Sequence, residues 1–305
     1  MIVITRLDKI KRFVNPVVAL GVFDGLHRGH LNILRAVVNK ARETGGDSVV
    51  VTFYPHPQKE ESLYSLEHRL KMFSELGLDV CVVINFNKHF SEMSAVDFIS
   101  HILVEKIHPS SVYVGENFRF GKGASGDLKM LSCWARKGSF SLRVFKVVKD
   151  GRRPISSTAI RGLIKQGRLK EAGRLLGRRV SVLGTVISGS GIAGDMGFPT
   201  ANINPHHEVI PPPGIYAVDV SFSGKDYGGA CYIGTRPTIC SKNKAVHIEV
   251  NIFGFHKKIY GKSLEIRFLK FLRSDKKFAS LTELSSQILQ DVKSCRAFIS
   301  RSHNR

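Results

Sequence analysis

Along the first half of the chain, short apolar runs alternate with stretches of helical periodicity. Val17 to Phe23 is followed by a helical pattern over Leu31 to Arg42, Ser48 to Tyr54 by one over Leu66 to Leu76, and Val80 to Ile84 by one over Ala95 to Ile107. The series continues with Ser111 to Val114, a helix near Leu128 to Lys137 and a strand at Ser141 to Val147. Strands that alternate with helices pair in parallel, so the pattern predicts a doubly wound, Rossmann-like α/β domain. Ligands of such domains bind at the carboxyl ends of the strands.

After Gly177-Arg178-Arg179 the pattern changes. Short strand-like runs separated by turn residues follow at Val180 to Ile187, Gly214 to Phe222, Gly229 to Ile233, Ala245 to Ile252 and Ser263 to Phe271. Such spacing indicates an antiparallel barrel. Leu281, Leu284, Ile288 and Val292 then recur at helical spacing, which predicts a final helix over Leu281 to Phe298 packed on the barrel. The expected domains are residues 1–176 and 177–305, with disorder only in the tail from Ser300 to Arg305.

A chain of 305 residues is long enough for two such cores, and 43% hydrophobic with 23% charged residues is the composition of a globular protein. The formal net charge of +21 favours polyanionic ligands. The basic clusters at Lys9 to Arg12, Arg152-Arg153 and Arg174 to Arg179 are modest, and no basic tail or stripe stands out, so nucleic acid is not the expected partner. Five cysteines, Cys81, Cys133, Cys231, Cys240 and Cys295, are odd in number and never spaced as C-x-x-C. That argues against a zinc site or disulfide framework and points to a reducing cytoplasm. Charge breaks up the apolar residues of Met1 to Lys11, and no run approaches the ~18 residues that span a bilayer. A cytoplasmic protein without membrane partners is expected. A monomer is the expected state.

Chemistry concentrates after the predicted strands. Gly21-Val22-Phe23-Asp24-Gly25-Leu26-His27-Arg28-Gly29-His30 joins the first strand to its helix through a Gly turn. His27 and His30 would then sit over the first helical turn, where free N–H groups and the positive dipole end attract phosphate. Pro55-His56-Pro57 and Gly115-Glu116-Asn117-Phe118-Arg119-Phe120-Gly121-Lys122-Gly123 should lie on the same rim. The second loop can hold a planar ring and a phosphate; alternatively it is an ordinary turn with Phe118 or Phe120 in the core. Pro154-Ile155-Ser156-Ser157-Thr158-Ala159-Ile160-Arg161 opens another helix with three hydroxyls, where capping needs only one. In the second half, the Gly-rich run Gly189 to Gly194 precedes Met196-Gly197-Phe198-Pro199-Thr200-Ala201-Asn202.

These stretches together resemble the family of bacterial bifunctional riboflavin kinase/FMN adenylyltransferases. The histidine segment is similar to the H-x-G-H signature of nucleotidyltransferases. Ile155 to Arg161 resembles their I-S-S-T-x-I-R partner, and Gly115 to Gly121 their flavin-side loop. Phe198 to Asn202 resembles the riboflavin kinase signature, supported by Pro213 to Tyr216, Ile233 to Thr238, Glu249, Tyr260 to Lys262, Phe271-Leu272-Arg273 and Lys277-Phe278.

The resemblance implies an α/β nucleotidyltransferase domain followed by a six-stranded antiparallel barrel with a C-terminal helix. It implies that riboflavin is phosphorylated from MgATP, and that AMP then passes from ATP to FMN, giving FAD and pyrophosphate. His27, His30 and Arg161 would act on the adenylyl transfer, with Gly21, Phe23, Asp24, Gly29, Ser156, Ser157 and Thr158 around the ATP phosphates. Asn117, Phe118, Arg119 and Arg273 would meet flavin. In the kinase half, Gly191, Thr200 and Asn202 would hold phosphates, the last two also Mg²⁺, and Glu249 would be the general base, with Glu265 as the competing carboxylate. The family usually carries Arg at Gly194, His at Asn251 and Asp at Gly254, which bears on kinase efficiency. The alternatives are one retained activity, or a basic nucleic-acid-binding protein on the same fold.

Overall fold

A computed structural model of the chain describes residues 1–57, 61–189, 197–236 and 245–303. The backbone divides into two compact units, Met1–Ser157 and Thr158–Arg305.

The first unit is built on a six-stranded parallel sheet: β1 (Ile2–Ile4), β2 (Val17–Leu20), β3 (Ser48–Tyr54), β4 (Val80–Asn85), β5 (Ser111–Gly115) and β6 (Ser141–Phe145), in spatial order β1-β4-β3-β2-β5-β6. Val17 to Leu20 and Val49 to Val51 are almost wholly buried, because helices cover both faces of a parallel sheet and leave no side of a central strand in water. Helix α1 (Arg28–Glu43) follows β2, and α2 (Leu66–Glu75) follows β3. Ser65 caps α2 by accepting the His68 N–H at 3.2 Å. From β2 the chain steps outward through β3 and β4, then returns to lay β5 on the other side of β2. The switch point, where a crevice opens at the strand ends, therefore lies between the segments that leave β2 and β5. Strand β1 is an addition to the expected set: its three residues gain their hydrogen bonds only by pairing with β4. The strand expected over Ser141 to Val147 ends at Phe145, and a small antiparallel pair, β7 (Lys149–Asp150) and β8 (Arg153–Pro154), follows it.

The helix Ser157–Lys165 begins on the last residue of the first unit and runs on into the second, where helix Leu169–Leu176 precedes a closed barrel. Its strands are β9 (Ser181–Ile187), β10 (Ala201–Asn204), β11 (Gly214–Phe222), β12 (Lys225–Arg236), β13 (Ala245–Ile252) and β14 (Ser263–Arg273); every pairing is antiparallel, around the ring β10-β13-β12-β11-β14-β9. β10, the sixth strand, is short and polar and is visible only through its pairing. β12 starts earlier than the apolar pattern indicated. Phe222 pairs with Lys225 across Ser223 and Gly224, both at positive φ, the two-residue turn that suits a hairpin. Gly228 stands inside that strand because Ile299 and Phe253 lie 3.2–3.3 Å from where a Cβ would be.

The C-terminal helix runs from Leu281 to His303, further than expected, because Cys295 and Ile299 pack on Ile215 and Ala217 of β11 and hold its last turns. Arg296 adds a guanidinium stacked 4.3 Å above the Phe253 ring. Ser300 to His303 are therefore helical rather than a disordered tail. Among the described residues, no helix is long and apolar enough to cross a membrane.

Candidate active sites

In the first unit the chain leaves β2 into a turn in which Phe23, Gly25 and Leu26 adopt φ values of 53°, 77° and 39°. This reversal places the start of α1 directly beyond the strand end. His27 caps the helix, its Nδ1 accepting the His30 N–H at 3.4 Å, and the two imidazoles stack with centroids 3.7 Å apart. Phe23 meets His30 edge-on at 5.3 Å. A Cβ at Gly29 would stand 3.2–3.3 Å from the His27 ring, so the small residue lets that ring fold back over the helix end. The result is a pair of imidazoles at an anion-attracting helix terminus, with His27 buried at 7% exposure and His30 half-buried.

Asp24 turns inward from the same segment. Its Oδ1 accepts the Leu63 and Tyr64 N–H groups at 2.8 and 3.4 Å, tying the turn to the chain ahead of α2. Ser157 Oγ donates to the Asp24 carbonyl at 2.8 Å, so two of the sequence motifs, 133 residues apart, meet within this unit. Ser156 is half-buried and Thr158 exposed. Arg161 is buried one turn further along the helix that Ser157 opens, within the second unit. In the loop after β5, Phe120 is buried in the core and Phe118 stacks on it at 5.5 Å, while Asn117 and Arg119 are exposed. The ordinary-turn reading thus holds for Phe120, which anchors the loop in the core and carries the stacked Phe118 beside the exposed Asn117 and Arg119.

Arg69 of α2 was not singled out by the sequence. Only 2% exposed, its Nη1 donates to Val22 O at 2.7 Å and Thr52 Oγ1 at 3.1 Å, and Nη2 to Phe53 O at 3.4 Å. Burial lowers its pKa, and the carboxylate of Asp24 opposes that shift. The guanidinium clamps the exits of β2 and β3 together. A capped helix with Arg at its fourth position looks ordinary in sequence, and nothing there marks the side chain as inward.

The second site forms on the outer face of the barrel. Ile248, Val250 and Ile252 are buried in the interior, so Glu249 and Asn251 project the other way. Asn202 of β10 and Tyr232 of β12 stand opposite Glu249, giving one row across three strands. A cavity of about 270 Å³ covers this row, lined by Phe198, Thr200, Tyr232, Glu249, Asn251 and Arg273 together with side chains of the C-terminal helix. Glu249 is therefore an outward residue that the helix and flanking loops enclose. Thr200 Oγ1 donates to Glu249 Oε2 at 3.5 Å. Glu265, paired in register with Leu183 and Ser221, lies outside the cavity.

Arg273 is held rigidly. Its Nε and Nη2 donate to the two carboxylate oxygens of Asp291 at 2.9 and 2.6 Å, and Nη1 to Ser274 O at 2.9 Å. Asp291, a helix residue, is the partner that sequence reasoning missed, because in sequence it is one polar position on an amphipathic helix. Tyr232 Oη likewise donates to Asp275 Oδ2 at 3.2 Å. Gly191 and Gly194 lie outside the described residues; Gly254 adopts φ 69° in the turn after β13. Thr200, Asn202 and Glu249 offer only oxygen ligands, the donor type that Mg²⁺ takes. Among the described residues no group of three or more His, Cys, Asp or Glu could hold a metal unaided, so phosphate oxygens would have to complete its shell.

The comparisons with known proteins agree with this division. Residues 9–159 match the FAD synthetase family model and residues 176–299 the riboflavin kinase model. The bifunctional riboflavin kinase/FMN adenylyltransferase of Listeria monocytogenes is 35% identical over 94% of both chains, and that of Escherichia coli K12 is 32% identical over 92% of both. The fold is shared by a crystal structure described as a macrolide-efflux protein from Streptococcus pneumoniae, with a TM-score of 0.81 and 28% identity over 97% of this chain and 98% of that one. With both family models matched in order and relatives similar from end to end, the chain belongs to the bifunctional riboflavin kinase/FMN adenylyltransferase family.

Proposed function

We propose a residue-level division of labour for a two-step flavin-cofactor enzyme. The chain phosphorylates riboflavin to FMN with ATP and then joins AMP from ATP to FMN, yielding FAD and pyrophosphate. The observation that carries the assignment is the coincidence of the family's two motif sets with two separately built sites. In the barrel, Glu249 accepts the proton of the ribityl hydroxyl while Thr200 and Asn202 orient the ATP phosphates, with Gly191 beside them and Arg273, braced by Asp291, forming the flavin side. Mg²⁺ held by Thr200, Asn202 and phosphate oxygens would neutralise charge on the transferring group.

For adenylyl transfer the FMN phosphate is already a nucleophile, so no protein base is required. His27, His30, Ser157 and Arg161 stabilise charge on the α-phosphate and the departing pyrophosphate. Gly21, Phe23, Gly29, Ser156 and Thr158 bound the ATP site, and Asp24 shapes it through its backbone contacts. Asn117, Phe118 and Arg119 receive the flavin.

The kinase domain is taken to begin near Gly177, in a monomeric, cytoplasmic protein whose partners are riboflavin, FMN, FAD and ATP. The free thiols of Cys81, Cys133, Cys231 and Cys295 fit that compartment. Incubation with riboflavin, ATP and Mg²⁺, followed by chromatographic separation of flavins, should give FMN and then FAD. FMN without FAD would leave only the kinase assignment standing. Neither product from folded protein would refute both. Both steps should fail without Mg²⁺ and survive a zinc-selective chelator at excess Mg²⁺.

A further inference from the structure

Strand β13 brings Glu249 and Asn251 to the same outer face of the barrel, two positions apart, and both line the cavity under the C-terminal helix. Asn251 Nδ2 donates to the carbonyl of Pro199 at 2.8 Å. The β10–β13 ladder begins with Ala201 opposite Val250, so Pro199 and Thr200 lie just ahead of its first rung. Pro199 has no N–H with which to extend the ladder. Its carbonyl is taken instead by a side chain of the neighbouring strand. The Asn251 carboxamide thus replaces a missing rung, and it fixes the residue next to Thr200, whose hydroxyl stands 3.5 Å from Glu249 Oε2.

We infer that Asn251 is a positioning residue for phosphoryl transfer: through Pro199 it holds the Thr200 hydroxyl in place against the Glu249 carboxylate. The inference rests on the barrel assignments proposed above. Glu249 and Asn251 of β13 then form one unit with Thr200, the residue just ahead of β10.

The test uses the full-length protein. Asn251→Leu keeps the volume and removes the donor. It should lower kcat for riboflavin phosphorylation about tenfold or more, because a displacement of about an ångström costs up to ~10²-fold. KM for riboflavin should change less than kcat, and conversion of added FMN to FAD should be unchanged. Asn251→His, which retains a donor, should recover most of the loss. Should Asn251→Leu unfold the barrel, Asn251→Ser, too short to reach Pro199, carries the same expectation. The decisive arm is a double substitution: added to Thr200→Ala, Asn251→Leu should cost little more, since residues acting through one another are not additive. Equal factors in the wild-type and Thr200→Ala backgrounds would overturn the inference and leave the barrel assignments standing. If Glu249→Gln and Thr200→Ala themselves left phosphorylation intact, the reading beneath it would fall as well.

Discussion

The two sites of this chain are built in opposite ways. In the α/β unit the groups proposed for adenylyl transfer sit mostly on one continuous segment: Gly21 to His30 carries the strand exit, the turn, the cap and both imidazoles, and tertiary structure adds Ser157 from a distance of 133 residues. In the barrel, no two of Asn202, Tyr232, Glu249 and Asp291 share a strand or helix; strand register and one packed helix assemble them. A site carried by a segment depends on local backbone geometry. A site carried by register depends on the whole barrel being closed.

That contrast is sharpest in a double dissociation. Glu249→Gln keeps the shape and removes the proposed proton acceptor, and a positioned base contributes ~10²- to 10⁴-fold. Riboflavin phosphorylation should fall by that factor while added FMN still becomes FAD. His30→Ala should do the reverse, so that FMN accumulates. A mixture of the two proteins should again carry riboflavin to FAD, because FMN diffuses between them. A fragment from Arg178 to Arg305 should fold and make FMN alone. If either point substitution stopped both reactions in folded protein, the division between the halves would be wrong.

A smaller effect tests the dependence of the barrel site on its helix. The Arg273–Asp291 pair has side chains 25% and 10% exposed. Removing one partner of a fully buried pair costs ~3–5 kcal/mol; with Arg273 partly in water, Asp291→Ala should destabilise the barrel by about 2 kcal/mol. Calorimetry should show the lower transition, and KM for riboflavin should rise as the Arg273 wall loosens. FMN adenylylation at low temperature should be untouched. An unshifted barrel transition would mean that the ion pair does not fasten the helix.

The contrast also explains what could be read from the sequence. The alternation of apolar runs and helical periods identified five of the six parallel strands, since a central parallel strand must be apolar throughout; β1 escaped because an edge strand of three residues leaves too short a pattern. In the barrel, β10 was hidden within its own motif, its polar Asn202 and Asn204 concealing a strand. The segment Gly21 to His30 was legible as a strand exit, a turn and a helix start bearing both histidines. Arg69 and Asp291 were not, for a common reason: each is a charged residue on an amphipathic helix whose burial is decided by what packs against it. Glu249 was legible only by family likeness, because an alternating strand gives an outward carboxylate no distinguishing pattern.

A test at the level of local geometry concerns Gly29. Alanine is worth up to ~1 kcal/mol more than glycine inside a helix, so Gly29→Ala should not lower the melting temperature of the α/β unit. Its methyl group would nonetheless press on the His27 ring, 3.2–3.3 Å away, and tilt the imidazole pair. FMN adenylylation should fall several-fold, with stability equal or higher and riboflavin phosphorylation unchanged. Loss of stability together with activity would show that the segment cannot take a methyl group at all.

The smallest expected effect compares the units by their buried thiols. Cys81 on β4 and Cys295 on the C-terminal helix are each pushed up to about 12, in both cases chiefly because burial disfavours the thiolate. With an ordinary value near 9.0, each thiol is neutral in both states below that pH and contributes nothing to the pH dependence there. Above it the unfolded chain loses a proton that the native state retains, so stability declines by ~1.4 kcal/mol per pH unit per thiol until the native value is reached. Cys81→Ala removes one such group. Relative to its own stability at pH 8, this variant should lose about 1.4 kcal/mol less than wild type by pH 10, read as the transition of the α/β unit, and Cys295→Ala should do the same for the barrel. The exposed Cys133 should meanwhile react with a thiol reagent in the native protein while Cys81 and Cys295 do not. Equal alkaline losses in variant and wild type would show that Cys81 is not sealed from water in the native state.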